Sequence, residues 1–187
     1  MVRMTSKIDK DIQDRNITAV FQVLDANGDG RISEEDFDLI GTKVCAQFGI
    51  ATDSEAGRKV CGSYLAWWNQ LRRDLDTDGD GEVSLAEFAA AYKDGGGERY
   101  FAEQLGHTVK AVVDMVDADR DGFISEAEYL KLFAVATPDR EANLAGFREL
   151  DTDGDGRVSV AEFQVGVRQL MLSNDPNATG TGLLGQH

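Results

Sequence analysis

The sequence predicts an all-α fold: four helix–loop–helix units in two pairs, packed into one compact globule, with short β-ribbons between paired loops. Three observations carry that prediction. Four 12-residue segments align without gaps: Asp25 to Asp36, Asp76 to Glu87, Asp117 to Glu128 and Asp151 to Glu162. Apolar residues at helical spacing stand on both sides of each segment. With 42% hydrophobic residues, 20 Gly and only two Pro in 187 residues, the chain fits helices broken by glycine turns.

Charge removes several function classes. There are 34 acids against 19 bases, a net charge of −15. Binding nucleic acid needs clustered Lys and Arg to neutralise phosphates, so no nucleic-acid partner is expected. The apolar stretches fall far short of the roughly 20 residues that span a bilayer, so no membrane span is expected. The start, Met1 to Asn16, mixes Arg3, Lys7, Asp9, Lys10 and Asp11 with few apolar residues, which does not read as a signal peptide. No nucleophile–base set is visible, so the chain does not read as an enzyme.

Within each 12-residue segment, positions 1, 3, 5 and 12 carry oxygen side chains. These are Asp25, Asn27, Asp29 and Asp36; Asp76, Asp78, Asp80 and Glu87; Asp117, Asp119, Asp121 and Glu128; and Asp151, Asp153, Asp155 and Glu162. Position 6 is always Gly, position 8 aliphatic and position 9 Ser. A hard divalent cation such as Ca2+ takes about six to eight oxygens, and this spacing wraps them around one ion. Position 7 offers only its backbone carbonyl, so its side chain varies: Arg31, Glu82, Phe123 and Arg157. Position 12 lies on the outgoing helix and closes the cage with two oxygens. Position 8 (Ile32, Val83, Ile124, Val158) is placed to form a short antiparallel ribbon with a partner loop. Fifteen of the sixteen ligand side chains are acids, and with those set aside the remaining acids equal the 19 bases. The net charge is therefore the charge of the ligand set.

The spacing resembles the EF-hand calcium loop. The long first interval (residues 37–75), the short last one (129–150) and the total length resemble the sarcoplasmic calcium-binding protein group, including calerythrin, over roughly residues 9–173. The resemblance implies two EF-hand pairs in one globule, used mainly to buffer or store calcium. In that group one loop has usually lost its ligands. Here all four keep them, so up to four Ca2+ are expected.

The helices follow in order. Ile17, Phe21 and Leu24 lead into the first loop; Phe37 and Ile40 lead out. The first interval has room for long helices at about 37–48 and about 53–75. Gly49 and a Thr52-x-x-Glu55 capping box mark the turn between them. Trp68, Leu71 and Leu75 precede the second loop, and Phe88 and Tyr92 follow it. Gly95 to Gly97 is read as a flexible bend that separates an N-terminal pair (1–94) from a C-terminal pair (98–173). Val109, Val113 and Val116 enter the third loop; Tyr129 and Leu132 leave it. Pro138 is expected at the first position of the last incoming helix, which carries Phe147 and Leu150. Phe163 and Val167 follow the fourth loop. The tail, 174–187, reads as mobile, with capping of an apolar groove by Leu183 and Leu184 as the alternative.

Some residues leave two readings open. Asp36, one methylene shorter than Glu, either adjusts and binds Ca2+ normally or offers one oxygen, a cage that suits Mg2+ at the first site. Trp67 and Trp68 read as core, or as the lining of a bound apolar molecule. Cys45 and Cys61 fall on the two long helices and read as reduced core thiols of a cytoplasmic protein. The Asn177-Ala178-Thr179 sequon reads as idle.

For function, the leading reading is a monomeric cytoplasmic calcium buffer or transport protein. The rivals are a sensor with a target protein and a carrier of an apolar ligand. Four Met (Met1, Met4, Met115, Met171) are few for the Met-rich groove of a promiscuous sensor.

Overall fold

A computed structural model describes residues 5–92, 98, 112–114, 116–134, 139–175, 178 and 183. Its helices are α1 (Thr5–Leu24), α2 (Glu34–Gln47), α3 (Glu55–Leu75), α4 (Leu85–Tyr92), α5 (Glu126–Phe133), α6 (Arg140–Leu150) and α7 (Val160–Leu172). Residues 112–114 and 116 are helical and lead into the third loop. Four short strands lie inside the loops: β1 (Arg31–Ile32), β2 (Val83–Ser84), β3 (Phe123–Ser125) and β4 (Arg157–Ser159).

The strands decide which loops are partners. β1 and β2 are antiparallel with Ile32 opposite Val83, and β3 and β4 are antiparallel with Ile124 opposite Val158. All four aliphatic side chains are 0% exposed. Each ribbon therefore pins two loops back to back on the apolar floor beneath them.

Two cores sit under the two ribbons. The first holds Ile17, Phe21, Phe37, Tyr64, Trp68, Leu71, Phe88 and Tyr92, and Met171 of α7 also enters it. The second holds Val113, Val116, Tyr129, Phe147, Leu150, Phe163, Leu170 and Leu183. Val20, Phe48, Val167 and Leu172 pack against both. Burying aromatic and aliphatic side chains of this size stabilises by roughly 1.5–3 kcal/mol each. Helix α1 ties the halves together with polar bonds as well. The Gln13 amide donates to the carbonyls of Tyr92 and Met171, both at 3.1 Å, and Asn16 donates to Leu170 at 3.0 Å. Those carbonyls lie in the last turns of α4 and α7, where the helix itself supplies no donor.

Several expectations are corrected in detail. Helix α2 begins at Glu34 rather than near 37, with Ser33 at its N-cap position and the Asp36 carboxylate accepting from the Ser33 amide and hydroxyl. Ser54, not Thr52, caps α3, with its hydroxyl accepting from Gly57 N at 3.0 Å. Gly57 is needed there, since a Cβ would run into Ala51 O and Thr52. Helix α6 starts at Arg140 under an Asp139 cap, so Pro138 is not its first residue. Pro138, Val109, His107, His187, Leu184, Met1, Met4, Met115, Asn177, Thr179 and the Gly95–Gly97 bend lie outside the described residues. Among its described residues the tail docks at Asn174, whose Oδ1 accepts from Gln13 N at 3.3 Å, and at Leu183, which is 2% exposed in the second core near Gly166 of α7. Trp68 is 1% exposed, and Trp67 packs edge-on to Phe37 at 5.2 Å, as core residues do. Cys45 and Cys61 are free thiols whose sulfurs lie 4.0 Å apart.

Candidate metal centres

The four loops are built from one nested set of hydrogen bonds. The position-1 carboxylate accepts from the position-6 glycine: Gly30 to Asp25 at 2.9 Å, Gly81 to Asp76 at 3.1 Å, Gly122 to Asp117 at 2.9 Å and Gly156 to Asp151 at 3.0 Å. Position 3 accepts from the amide of position 5, at 2.9 Å for Asn27 and 3.0 Å for Asp78, then 3.1 Å for both Asp119 and Asp153. Position 5 accepts from the amide of position 7, at 2.9 Å for Asp29, Asp121 and Asp155 and 3.0 Å for Asp80. Short carboxylates that bond two residues on produce this tight winding. The oxygens end up facing inward because the backbone amides hold them there.

The winding needs left-handed backbone at two points in each loop. Position 6 has φ between 82° and 90° in all four loops, which explains the glycines there. Position 4 is also left-handed, at 77°, 76° and 73° for Gly28, Gly79 and Gly154, and at 62° for Arg120. Glycine at position 4 in three of the four loops is the sequence signal of this second left-handed point. Arg120 is the one non-glycine residue with positive φ among the described residues.

Position 12 is placed by a helix cap. In the second, third and fourth loops Ser at position 9 caps the outgoing helix, and position 12 is its third residue, so the Ser-x-x-Glu spacing is a capping box as well as a ligand spacing. One oxygen of Glu87, Glu128 and Glu162 accepts from the amide and hydroxyl of Ser84, Ser125 and Ser159, between 2.7 and 2.9 Å. The other oxygen reaches back to position 2: Thr77 at 2.9 Å, Ala118 at 2.7 Å and Thr152 at 2.9 Å. Asp36 is too short for that reach. Its second oxygen accepts from position 3, Asn27 N, at 3.0 Å, and the side chain is 0% exposed.

These contacts set the carboxylate acidities. Bonds from the Ser84 amide and hydroxyl and from Thr77 hold Glu87 down to about 2. Burial pushes Glu162 up, but bonds from Ser159 and Thr152 outweigh it and bring it to about 2. Burial likewise opposes, and the amides of Gly122, Arg120 and Asp121 outweigh it, so Asp117 is lowered. At Asp119 the Asp121 amide lowers the pKa, but burial and the charges of Asp121 and Glu128 prevail and raise it. A carboxyl raised by its anionic neighbours marks a place where a cation would relieve repulsion.

The donor set fits a hard divalent cation. Three loops bring carboxylate oxygens within 4.8 Å of one another: Asp76, Asp78 and Asp80; Asp117, Asp119 and Glu128; and Asp151, Asp153 and Glu162. Among the described residues the first loop forms no such carboxylate triple, and Asn27 supplies a neutral oxygen there. In the fourth loop, Asp151 Oδ1 is buried with no hydrogen-bond partner among the described residues. A buried anionic oxygen left unpaired is costly, and a metal ion would satisfy it.

Comparisons with known proteins agree with this geometry. Residues 14–93 match the EF-hand domain pair family, and residues 109–134 and 144–167 match the EF hand family. A probable calcium-binding protein from Oryza sativa subsp. japonica, CML16, is 33% identical over 172 residues, covering 89% of this chain and 82% of that protein. Calerythrin from Saccharopolyspora erythraea is 22% identical over 151 residues, covering 79% and 85%. A Streptomyces coelicolor calcium-binding protein, whose structure was described as a basis for prokaryotic calcium-mediated regulation, superposes with a TM-score of 0.69 at 30% identity, covering 86% of this chain and 98% of that one. A sarcoplasmic calcium-binding protein from amphioxus gives a TM-score of 0.67 at 22% identity over 95% and 98%, a likeness of fold.

Proposed function

The chain belongs to the EF-hand calcium-binding proteins, and from that premise we propose that it is a monomeric cytoplasmic calcium buffer or transport protein. Its ligands are the side chains at positions 1, 3, 5 and 12 of each loop with the carbonyl at position 7. The second, third and fourth loops are the tight calcium sites. The first, with Asn27 and the short Asp36, is the weak one and the one suited to Mg2+.

One observation carries the buffer reading: the apolar faces of the hands are already spent on each other. The two cores share Val20, Phe48, Val167 and Leu172, Met171 sits in the N-terminal core, and Leu183 fills the C-terminal one. The large apolar residues exposed among the described residues, Leu65, Leu85 and Val165, lie on three different helices. A sensor needs a contiguous apolar groove for a partner helix. Free thiols at Cys45 and Cys61 fit a reducing compartment. No helix of the described residues is long and apolar enough to cross a membrane.

A sensor is the second reading, favoured by the Streptomyces coelicolor protein and its link to calcium-mediated regulation. A carrier of an apolar ligand has less support, because Trp68 is packed against Phe37 at a ring distance of 5.8 Å. Calorimetry and hydrophobic-dye binding, with calcium and with chelator, separate the two main readings. A buffer buries apolar surface on loading, with a negative heat-capacity change and falling dye fluorescence. Dye fluorescence that rises on adding calcium would establish a sensor instead.

A further inference from the structure

We propose that Arg31 and Arg157 are built-in counter-ions that set calcium affinity, Arg31 at the second site and Arg157 at the third and fourth. The proposal rests on the ligand sets given above. Position 7 contributes only a carbonyl to the metal, so its side chain is free for another task. Each loop pair has one arginine there, in the first and fourth loops, facing a partner with Glu82 or Phe123.

In the N-terminal pair, a guanidinium nitrogen of Arg31 lies 2.8 Å from Asp80 Oδ2, the position-5 carboxylate of the other loop. Its Nε lies 3.2 Å from Glu82 Oε2. The other oxygen of Asp80 is held by the Glu82 amide. In the C-terminal pair, Arg157 lies 3.6 Å from Asp121 Oδ2, again position 5 of the other loop, and 3.2 Å from Asp155 Oδ2 of its own. Its guanidinium carbon stands 4.0 Å from the Phe123 ring centroid. The orienting group differs, a carboxylate in one pair and an aromatic face in the other. The target is the same in both.

The chemistry fixes the sign of the effect. An arginine cannot give up its charge, so it is still cationic when the metal arrives. It competes for a ligand carboxylate and repels the incoming ion. Before the metal arrives, it offsets repulsion among the acids and holds the loop wound. Arg31 and Arg157 are 47% and 44% exposed in their side chains, so water and salt screen the effect. A unit charge about 6 Å from a divalent ion in water alters affinity by about tenfold, and dissolved salt reduces the effect.

The test is a calcium titration of the full chain followed at the position-6 glycine amides. Arg31→Gln should move the Gly81 midpoint to several-fold lower calcium and leave Gly122 and Gly156 in place. Arg157→Gln should do the same at Gly122 and Gly156 and leave Gly81 in place. Arg31→Lys keeps the charge and should return Gly81 toward its original midpoint. The Arg31→Gln gain should shrink as KCl rises from about 0.05 to about 0.5 M. A Gly81 midpoint that stays put or moves to higher calcium in Arg31→Gln overturns the proposal, as does a Lys variant that behaves like Gln. A wild-type Gly81 with no response to calcium overturns the ligand assignment itself.

Discussion

In the fourth loop Glu162 reaches Thr152 at position 2 and Ser159 at position 9, and the side chain stays half-buried at the loop edge. In the first loop Asp36 also holds its position-9 serine, Ser33, but its other oxygen stops at position 3, Asn27. The amide bonds to positions 3 and 5 and from the position-6 glycine to position 1 are common to both loops, but Asp25 Oδ1 also accepts from the Gly28 and Asp29 amides while Asp151 Oδ1 is left unpaired among the described residues. Losing one methylene moves the pinned amide by one residue and sinks the carboxylate out of reach of solvent. Ser33 adapts, with φ of −138° where Ser159 has −73°. The pair of loops differs at both ends of the cage, in the length of the closing side chain and in how firmly the position-1 carboxylate is held by backbone amides.

The strongest way to break this comparison is Glu162→Gln. It keeps the length but removes an anionic oxygen, so the fourth site should lose most of its affinity. The Ile124–Val158 ribbon should pass the loss to the third site, as about a 5- to 150-fold weaker midpoint at Gly122. Should Gly122 titrate as in wild type, the ribbon does not couple its two loops. The reverse change, Asp36→Glu, sharpens the comparison. It should strengthen calcium over magnesium at the first loop, read at the Gly30 amide. Asp36 is fully buried, so fitting the added methylene opposes the gain by about 1–3 kcal/mol, visible in the metal-free melt. A variant that binds neither ion better would show that Asn27, not Asp36, limits the site.

Acid should separate the loops next. Glu87 and Glu162 are held at about 2 against an ordinary 4.5. A lowered carboxylate stabilises the folded chain fully above its unfolded value, and the contribution is lost as pH falls through the folded one. The metal-free protein should therefore lose stability between about pH 4.5 and 2, and Glu87→Gln should flatten that dependence in part. An unaltered profile would mean these bonds do not persist in solution. The smallest effect is expected from Arg120→Gly. A side chain in left-handed backbone costs about 1–2 kcal/mol, and glycine returns roughly 0.5–1 kcal/mol of that as unfolded-state entropy. A net gain of up to about 1 kcal/mol should appear in calcium-free chemical denaturation. A loss there would show that the Arg120 side chain makes a stabilising contact.

Most of the site was legible because its chemistry is local. Ligand spacing, glycine at position 6 and the serine cap each act within 12 residues, so the sequence shows them directly. The need for left-handed backbone at position 4 was legible too, in Gly28, Gly79 and Gly154, but it was masked by Arg120 in the third loop. At the start of α3, Thr52-x-x-Glu55 carries the capping-box pattern, yet the hydroxyl that accepts from the first turn is that of Ser54, through Gly57 N.

The sequence alone determined the four loops, their ligands, the net charge that those ligands account for and the helices on either side, because each depends on residues close along the chain. Tertiary structure decided what lies between distant segments. The α1 bonds to the ends of α4 and α7, the burial of Leu183 and the reach of Arg31 to Asp80 are of this kind; the Arg31–Asp80 bond spans 49 positions and the Gln13–Met171 bond 158. No periodicity records such contacts. They follow from how two apolar floors close on each other, and that geometry exists only once the whole chain has folded.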